Sequence, residues 1–141
     1  MMISTRGRYA LRVMTDLAEH YNGEYIPLKE IAARQDMSQK YLESIMCVLS
    51  KAGMVDGMHG KGGGYRLSKS PDKCVVGDIL RLTEVSLSPV ACLENGNVCE
   101  RAAECRTLPM WTKLDKLIND FFDGITICNL MKNDGGGDYS I

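Results

Sequence analysis

The stretch MVDGMHGKGGGYRL, residues 54–67, constrains the fold more than any other part of the chain. From Gly60 to Gly64 every residue but Lys61 is glycine. Each glycine costs roughly 1 kcal/mol relative to alanine inside a helix, so no helix runs through this point. Residues 54–58 and 65–67 flank the glycines with strand-forming side chains. Together they predict an antiparallel hairpin with a flexible, basic tip.

What precedes the hairpin is helical. Apolar residues recur at Ala10, Met14, Leu17 and Tyr21, with Leu11 and Ala18 beside them, which predicts an amphipathic helix over residues 4–21. Asn22-Gly23 reads as a turn. A short helix follows with Pro27 at its start, where no backbone donor is lost, and its end near Gln35. After a tight turn at Asp36-Met37, Ser38 is a good N-cap for a third helix with the stripe Leu42, Ile45, Met46 and Leu49, closed by Gly53. Two short helices joined this tightly, followed by a hairpin, predict a winged helix-turn-helix. The fold class is mainly α with a small β wing.

In such an arrangement the helix beginning at Ser38 lies in the major groove of double-stranded DNA. It offers Ser38, Gln39, Lys40, Tyr41, Glu43 and Ser44 to bases and phosphates. Lys61 and Arg66 on the wing, with Arg6 and Arg8 near the N-terminus, meet phosphate, and the wing glycines admit close approach to the duplex. Charge agrees with this division. Residues 1–70 carry ten Lys/Arg against seven Asp/Glu, a balance of +3, and residues 71–141 carry seven against eleven, a balance of −4. The basic half is the expected DNA surface. The glycines do not follow the Walker phosphate-loop pattern, and His20 and His59 stand beside no nucleophile, which disfavours an enzyme.

Beyond Pro71 a short helix carries Val76, Ile79, Leu80 and Thr83, a polar loop spans residues 86–108, and a long helix carries Trp111, Leu114, Leu117, Ile118, Phe121 and Phe122 before Gly124. That apolar stripe predicts packing against a second subunit as well as against the helix's own body. The expected division is a DNA-binding region over 1–85, a cysteine loop over 86–108, a dimerisation helix and C-terminal helix over 109–131, and a disordered tail over 132–141. With no leader-like segment and no apolar run near 20 residues, the expected location is the cytoplasm, away from any membrane. There the cysteines are expected to be reduced.

Cys92, Cys99 and Cys105 follow the pattern C-x6-C-x5-C on the polar loop. Clustered thiolates suit soft metals and iron–sulfur clusters, whereas structural zinc sites use closer pairs and four ligands. A redox disulfide switch and three unrelated thiols are the alternatives. Cys47, Cys74, just before a strand-like Val75-Val76, and Cys128 read as buried small hydrophobes.

The segment from Ser4 to Ala10, residues 28–31 and 38–43, the wing from Gly60 to Tyr65 and the three cysteines before Trp111 resemble the bacterial regulator family that contains IscR, NsrR and CymR. The resemblance implies a homodimeric repressor or activator whose long C-terminal helix is the dimer element. It implies a 2Fe–2S or 4Fe–4S cluster on Cys92, Cys99 and Cys105, and target genes in cluster assembly, iron or sulfur metabolism, or nitrosative stress. Iron–sulfur assembly proteins or a cysteine-biosynthesis enzyme are the implied protein partners. The sequence departs from the family at both known fourth ligands: Leu108 stands where IscR-like members have histidine, and Arg8 where NsrR-like members have aspartate. Glu100, Glu104 and Thr107 are the nearby oxygen donors left to complete the site. His59 occupies a wing position often held by arginine in IscR. A CymR-like cysteine-metabolism repressor and an NsrR-like nitric-oxide sensor are the alternatives within the family. A small redox protein is the alternative outside DNA binding.

Overall fold

The computed structural model describes residues 2–94 and 99–132. Helix α1, Thr5–Glu19, starts where the Ser4 hydroxyl accepts the Gly7 N–H at 3.0 Å. Helices α2, Leu28–Gln35, and α3, Gln39–Lys51, follow. Pro27 is the residue just before α2, one position earlier than expected. Between α2 and α3 the chain reverses through Asp36, whose φ of 51° is left-handed, while the Met37 N–H returns to the Ala32 carbonyl at 3.1 Å. Gly53, with φ of 76°, ends α3 the same way, and the Met54 N–H reaches the Leu49 carbonyl at 2.9 Å.

Strands β1, Val55–Met58, and β2, Gly64–Leu67, form the antiparallel wing, paired from Val55 with Leu67 to Met58 with Gly64. Ile26 adds a third rung, exchanging both backbone hydrogen bonds with Tyr65 at 2.8 and 2.9 Å. The wing is thereby attached to the entrance of α2. Its base rests on the core, where Ala10, Val13, Met14 and Leu17 of α1 meet Ile31 of α2 and Leu42, Ile45, Met46 and Leu49 of α3, all fully buried. Each of these side chains larger than alanine contributes roughly 1.5–3 kcal/mol by leaving water, which explains why three short helices hold together.

Helix α4, Val76–Thr83, packs on α1 and carries Arg81, which donates to Asp123 at 2.8 and 2.9 Å and to Asn119 at 2.8 Å on α5, Leu108–Asp123. Gly77 makes this approach possible, because a Cβ there would stand 2.0 Å from the Asp123 carboxylate. Val75 and Val76 form no strand. Val75 makes a single bridge to Thr126, and Val76 is the first residue of α4. The short helix α6, Ile127–Leu130, returns to α1.

Two of the cysteines expected to be buried are exposed. Cys74 is fully buried, but Cys47 lies on the outer face of α3 with Lys40 and Glu43, and Cys128 faces solvent next to the buried Ile127. Helical register decides this, since the positions three, four and seven residues from Cys47 belong to the polar face. Lys132 donates its N–H to Glu19 at 3.0 Å, so the end of α6 is tied to α1. The remainder of the tail expected to be disordered, residues 133–141, lies outside the described residues.

Candidate nucleic-acid interface and cysteine loop

Gln39, Lys40 and Glu43 are exposed along the leading edge of α3. Their neighbours are engaged in holding the helix. The Ser38 hydroxyl accepts the Tyr41 N–H at 3.1 Å as the N-cap, and the Ser44 hydroxyl donates to the Tyr41 carbonyl at 2.6 Å. Tyr41 itself is half-buried, its ring edge-on to Tyr9 with centroids 5.8 Å apart. It joins α3 to α1 as much as it faces outward.

A groove of about 690 Å³ runs between the start of α2, α3 and the wing, lined among others by Lys29, Glu43, Ser50, His59 and Gly60. The sequence-predicted Glu43 and His59 therefore share one concave surface, with exposed Lys61 at the wing tip. Arg66 is committed elsewhere. It donates to the Gly23 carbonyl at 2.8 Å, stacks over Tyr25 at 4.3 Å and sits 3.9 Å from Asp56, so it pins the wing to the turn before α2. Gly63 and Gly64 likewise serve the wing's own closure. A Cβ on Gly63 would lie 2.2 Å from the Met58 carbonyl, and one on Gly64, with φ of 149°, 2.0 Å from that of Ile26. Gly60 and Gly62 have open space around them, so of the wing glycines these two are the ones left free for the expected close approach.

Two carboxylates brace this surface from behind. Asp16 is buried on α1 and accepts from Arg34 at 2.7 and 2.9 Å and from Gln35 at 2.8 Å, which fixes α2 against α1. Burial pushes the Asp16 carboxyl up, but the hydrogen bonds from Arg34 and Gln35 and the guanidinium charge outweigh it and hold the group below its usual range. Arg12 extends the chain, donating to Gln35 at 2.7 and 3.1 Å and lying 4.8 Å over Tyr9. At the other end of α1, Glu84 accepts both the Ser4 N–H and the Ser4 hydroxyl at 2.6 Å. Burial opposes ionisation of Glu84 as well, and the Ser4 and Thr83 hydrogen bonds win, lowering it. Arg6 is half-buried, and Arg8 is exposed on the same first turns, donating to Thr5 at 3.2 Å.

Cys92, Cys99 and Cys105 are free thiols, each half-buried. Cys92 lies in a one-turn 3₁₀ segment, Ala91–Leu93, and the Cys99 carbonyl accepts the Ala102 N–H at 3.1 Å. Cys105 stands just before α5, its sulfur 3.4 Å from the Thr107 hydroxyl. That hydroxyl, with the backbone N–H groups of Thr107 and Leu108, lowers the Cys105 thiol and favours its thiolate. Glu100, Glu104 and Thr107 are exposed. Among the described residues no three Cys, His, Asp or Glu side chains converge on one point. The donor set nevertheless fits an iron–sulfur cluster chemically: three soft thiols on one loop, one of them already in a thiolate-favouring position.

Comparison with known proteins decides what this assembly of wing, helix and loop belongs to. Residues 3–133 match the Rrf2 family, described as an iron-dependent transcriptional regulator. The chain belongs to the Rrf2 family. Its relatives include the HTH-type transcriptional regulator IscR of Aliivibrio salmonicida, 37% identical over 131 residues, 93% of this chain and 77% of that protein. Among solved structures, T. potens IscR is 36% identical with a TM-score of 0.72, covering 92% of this chain and 85% of its own. CymR of B. subtilis, the global cysteine regulator, is 35% identical with a TM-score of 0.75, covering 92% of this chain and 95% of its own. This Rrf2 protein is an IscR-like winged-helix transcriptional regulator, of a family whose members bind DNA and are not enzymes. Among its described residues no helix is long and apolar enough to cross a membrane.

Sequence reasoning missed several residues that shape this regulator's surface. Lys29 lines the groove from the start of α2, and Asp16, Arg34, Gln35 and Arg12 form the brace between α1 and α2. One signal was available. An aspartate at position 16, between Val13, Met14 and Leu17 on the stripe of α1, is a charge on a buried face, and such a charge requires a partner.

Proposed function

We propose that this chain is a homodimeric regulator that reads double-stranded DNA with α3 and the wing and senses iron–sulfur status through a cluster on Cys92, Cys99 and Cys105. The observation that carries the DNA reading is the groove that Lys29, Glu43 and His59 share, with Lys40 exposed on α3 and Lys61 exposed on the wing. Base edges meet Gln39 and Glu43, and phosphates meet Lys40, Lys61, Arg6 and Arg8. Ser38, Tyr41 and Ser44 hold those side chains in place and touch the duplex at its margin, and Arg66 steadies the wing through Gly23 and Tyr25. Two recognition helices are needed to span half-sites one helical turn apart, and the apolar face of α5 is the surface on which the copies pair.

For sensing, the 2Fe–2S or 4Fe–4S cluster supplies a labile metal centre that responds to iron supply, oxygen or nitric oxide. Cys92, Cys99 and Cys105 hold it as thiolates, with Glu100 or Glu104, solvent or a small thiol in the fourth position. The loop leaves α4 at Glu84, which holds the N-terminus of α1, and reaches α5 at Thr107, two residues after Cys105. Rearrangement of the loop thus bears on both the DNA-binding half and the dimer helix. Genes for cluster assembly or iron and sulfur metabolism are the expected targets.

The test is protein purified without air, assayed for iron, sulfide and DNA binding on one sample. The expected result is a brown dimer whose promoter affinity changes when the cluster is removed. Cys92→Ala, Cys99→Ala and Cys105→Ala each lose the cluster, and Cys47→Ala, Cys74→Ala and Cys128→Ala keep it. A colourless dimer that binds DNA with full affinity refutes cluster sensing. It supports instead a CymR-like reading.

A further inference from the structure

Thr107 stands at the N-cap of α5, where a threonine hydroxyl ordinarily accepts a backbone N–H from the first turn. Here it makes no such bond. The Thr107 backbone is α-like, with φ −95° and ψ −16°, rather than extended, and Pro109 removes one of the donors a cap would satisfy. The hydroxyl points instead at the Cys105 sulfur, 3.4 Å away. Thr107 is itself fixed by the helix, because its carbonyl accepts the Trp111 N–H at 3.1 Å.

The direction of this hydrogen bond follows from chemistry. A metal-bound thiolate carries no proton, so when Cys105 acts as a ligand the Thr107 hydroxyl is the only possible donor of the pair. A neutral hydroxyl is also a poorer iron ligand than the exposed carboxylates of Glu100 and Glu104 on the same loop. These two points remove Thr107 from the set of candidate fourth ligands and give it a different task.

Resting on the cluster reading above, we propose that Thr107 is a positioning residue. Its hydroxyl donates to the Cys105 sulfur and locks that ligand to the first turn of α5, so that Cys105 is the cysteine through which a bound cluster is coupled to the dimer helix. Hydrogen bonds to ligand sulfur disperse its negative charge and raise the reduction potential of the group it holds.

The experiment compares full-length wild type, Thr107→Val and Thr107→Ser after anaerobic purification, measuring iron and sulfide content and the midpoint potential by redox titration. Thr107→Val is expected to keep wild-type iron and sulfide but to shift the potential to more negative values, and Thr107→Ser to restore it. An unchanged potential in Thr107→Val overturns the proposal. So does loss of iron matching that of Cys105→Ala, which makes Thr107 a ligand. Absence of iron and sulfide from wild type refutes the cluster reading, and the contact is then tested on the metal-free protein by iodoacetamide labelling read residue by residue. In that case Thr107→Val is expected to change the Cys105 rate several-fold while Cys92 and Cys99 keep theirs, and equal rates at Cys105 in all three proteins overturn the contact itself.

Discussion

Helices α1 and α5 are nearly the same length, fifteen and sixteen residues, yet α1 buries seven of its residues and α5 buries none. Both are amphipathic in sequence. The difference lies in what the apolar face meets. α1 is surrounded by α2, α4, α6 and the wing, whereas α5 touches α4 and the start of the cysteine loop. Leu117 is 62% exposed, Met110 54% and Phe121 39%. A single copy leaves these side chains in water, which a second copy can relieve. The comparison teaches that the N-terminal half buries its apolar faces within one chain, whereas α5 leaves much of its own uncovered, as the proposed pairing requires.

The strongest test of that contrast is a large-to-small change on each side. Ile45→Ala, at a fully buried site on α3, is expected to destabilise the protein by about 2–5 kcal/mol in denaturant unfolding. Leu117→Ala on α5 is expected to cost far less at protein concentrations too low for dimers. Equal losses at the two sites would erase the distinction drawn between the halves.

A charge on α5 sharpens it from the other direction. Leu114→Asp is expected to give a monomer with near-native helix content in sedimentation and circular dichroism, and to lose DNA binding about tenfold or more as the paired half-sites are lost, a change of 1.4 kcal/mol or more. A stable dimer of this variant would place the pairing surface elsewhere.

Next in size comes the ion pair behind the recognition surface. Asp16→Asn removes the charge that satisfies Arg34 and is expected to cost about 1–3 kcal/mol, since charge-assisted hydrogen bonds are lost in a buried setting. Because the folded-state value of Asp16 lies below the ordinary 3.8, its stabilisation is fully present above that pH and is lost as pH falls through the lowered value. Acid unfolding of the Asp16→Asn variant should accordingly be flatter below about pH 4. A wild-type acid limb in the variant would remove Asp16 from this role.

Gly64→Ala separates the wing from the core. With Ile26 only 2.0 Å from the added Cβ, the wing must detach from α2, at a strain cost of about 1–3 kcal/mol. DNA affinity is expected to drop for every sequence while helix content stays. Gly62→Ala meets open space and should be milder, through its positive φ alone. The smallest effect belongs to Lys61→Ala, which is expected to lower the salt dependence of DNA binding by about one phosphate contact without changing preference between sites.

The order of the helices, the Ser38 cap, the turn at Asp36, the Gly53 stop and the hairpin were legible in residue spacing, because each depends on neighbours within four or five positions. The exposure of Cys47 was legible too, by register with Lys40 and Glu43, and the general tendency of cysteine to be buried concealed it. What only tertiary structure decided involves partners far apart in the chain. Asp16 meets Arg34, Glu84 meets Ser4, Arg66 turns toward Gly23 and Tyr25, and Gly63 and Gly64 serve closure of the wing rather than its tip. The cysteine spacing pointed to a ligand loop, but that Thr107 bonds Cys105 depends on α5 beginning at Leu108 with Pro109 behind it, where an α-like backbone turns a capping hydroxyl toward sulfur.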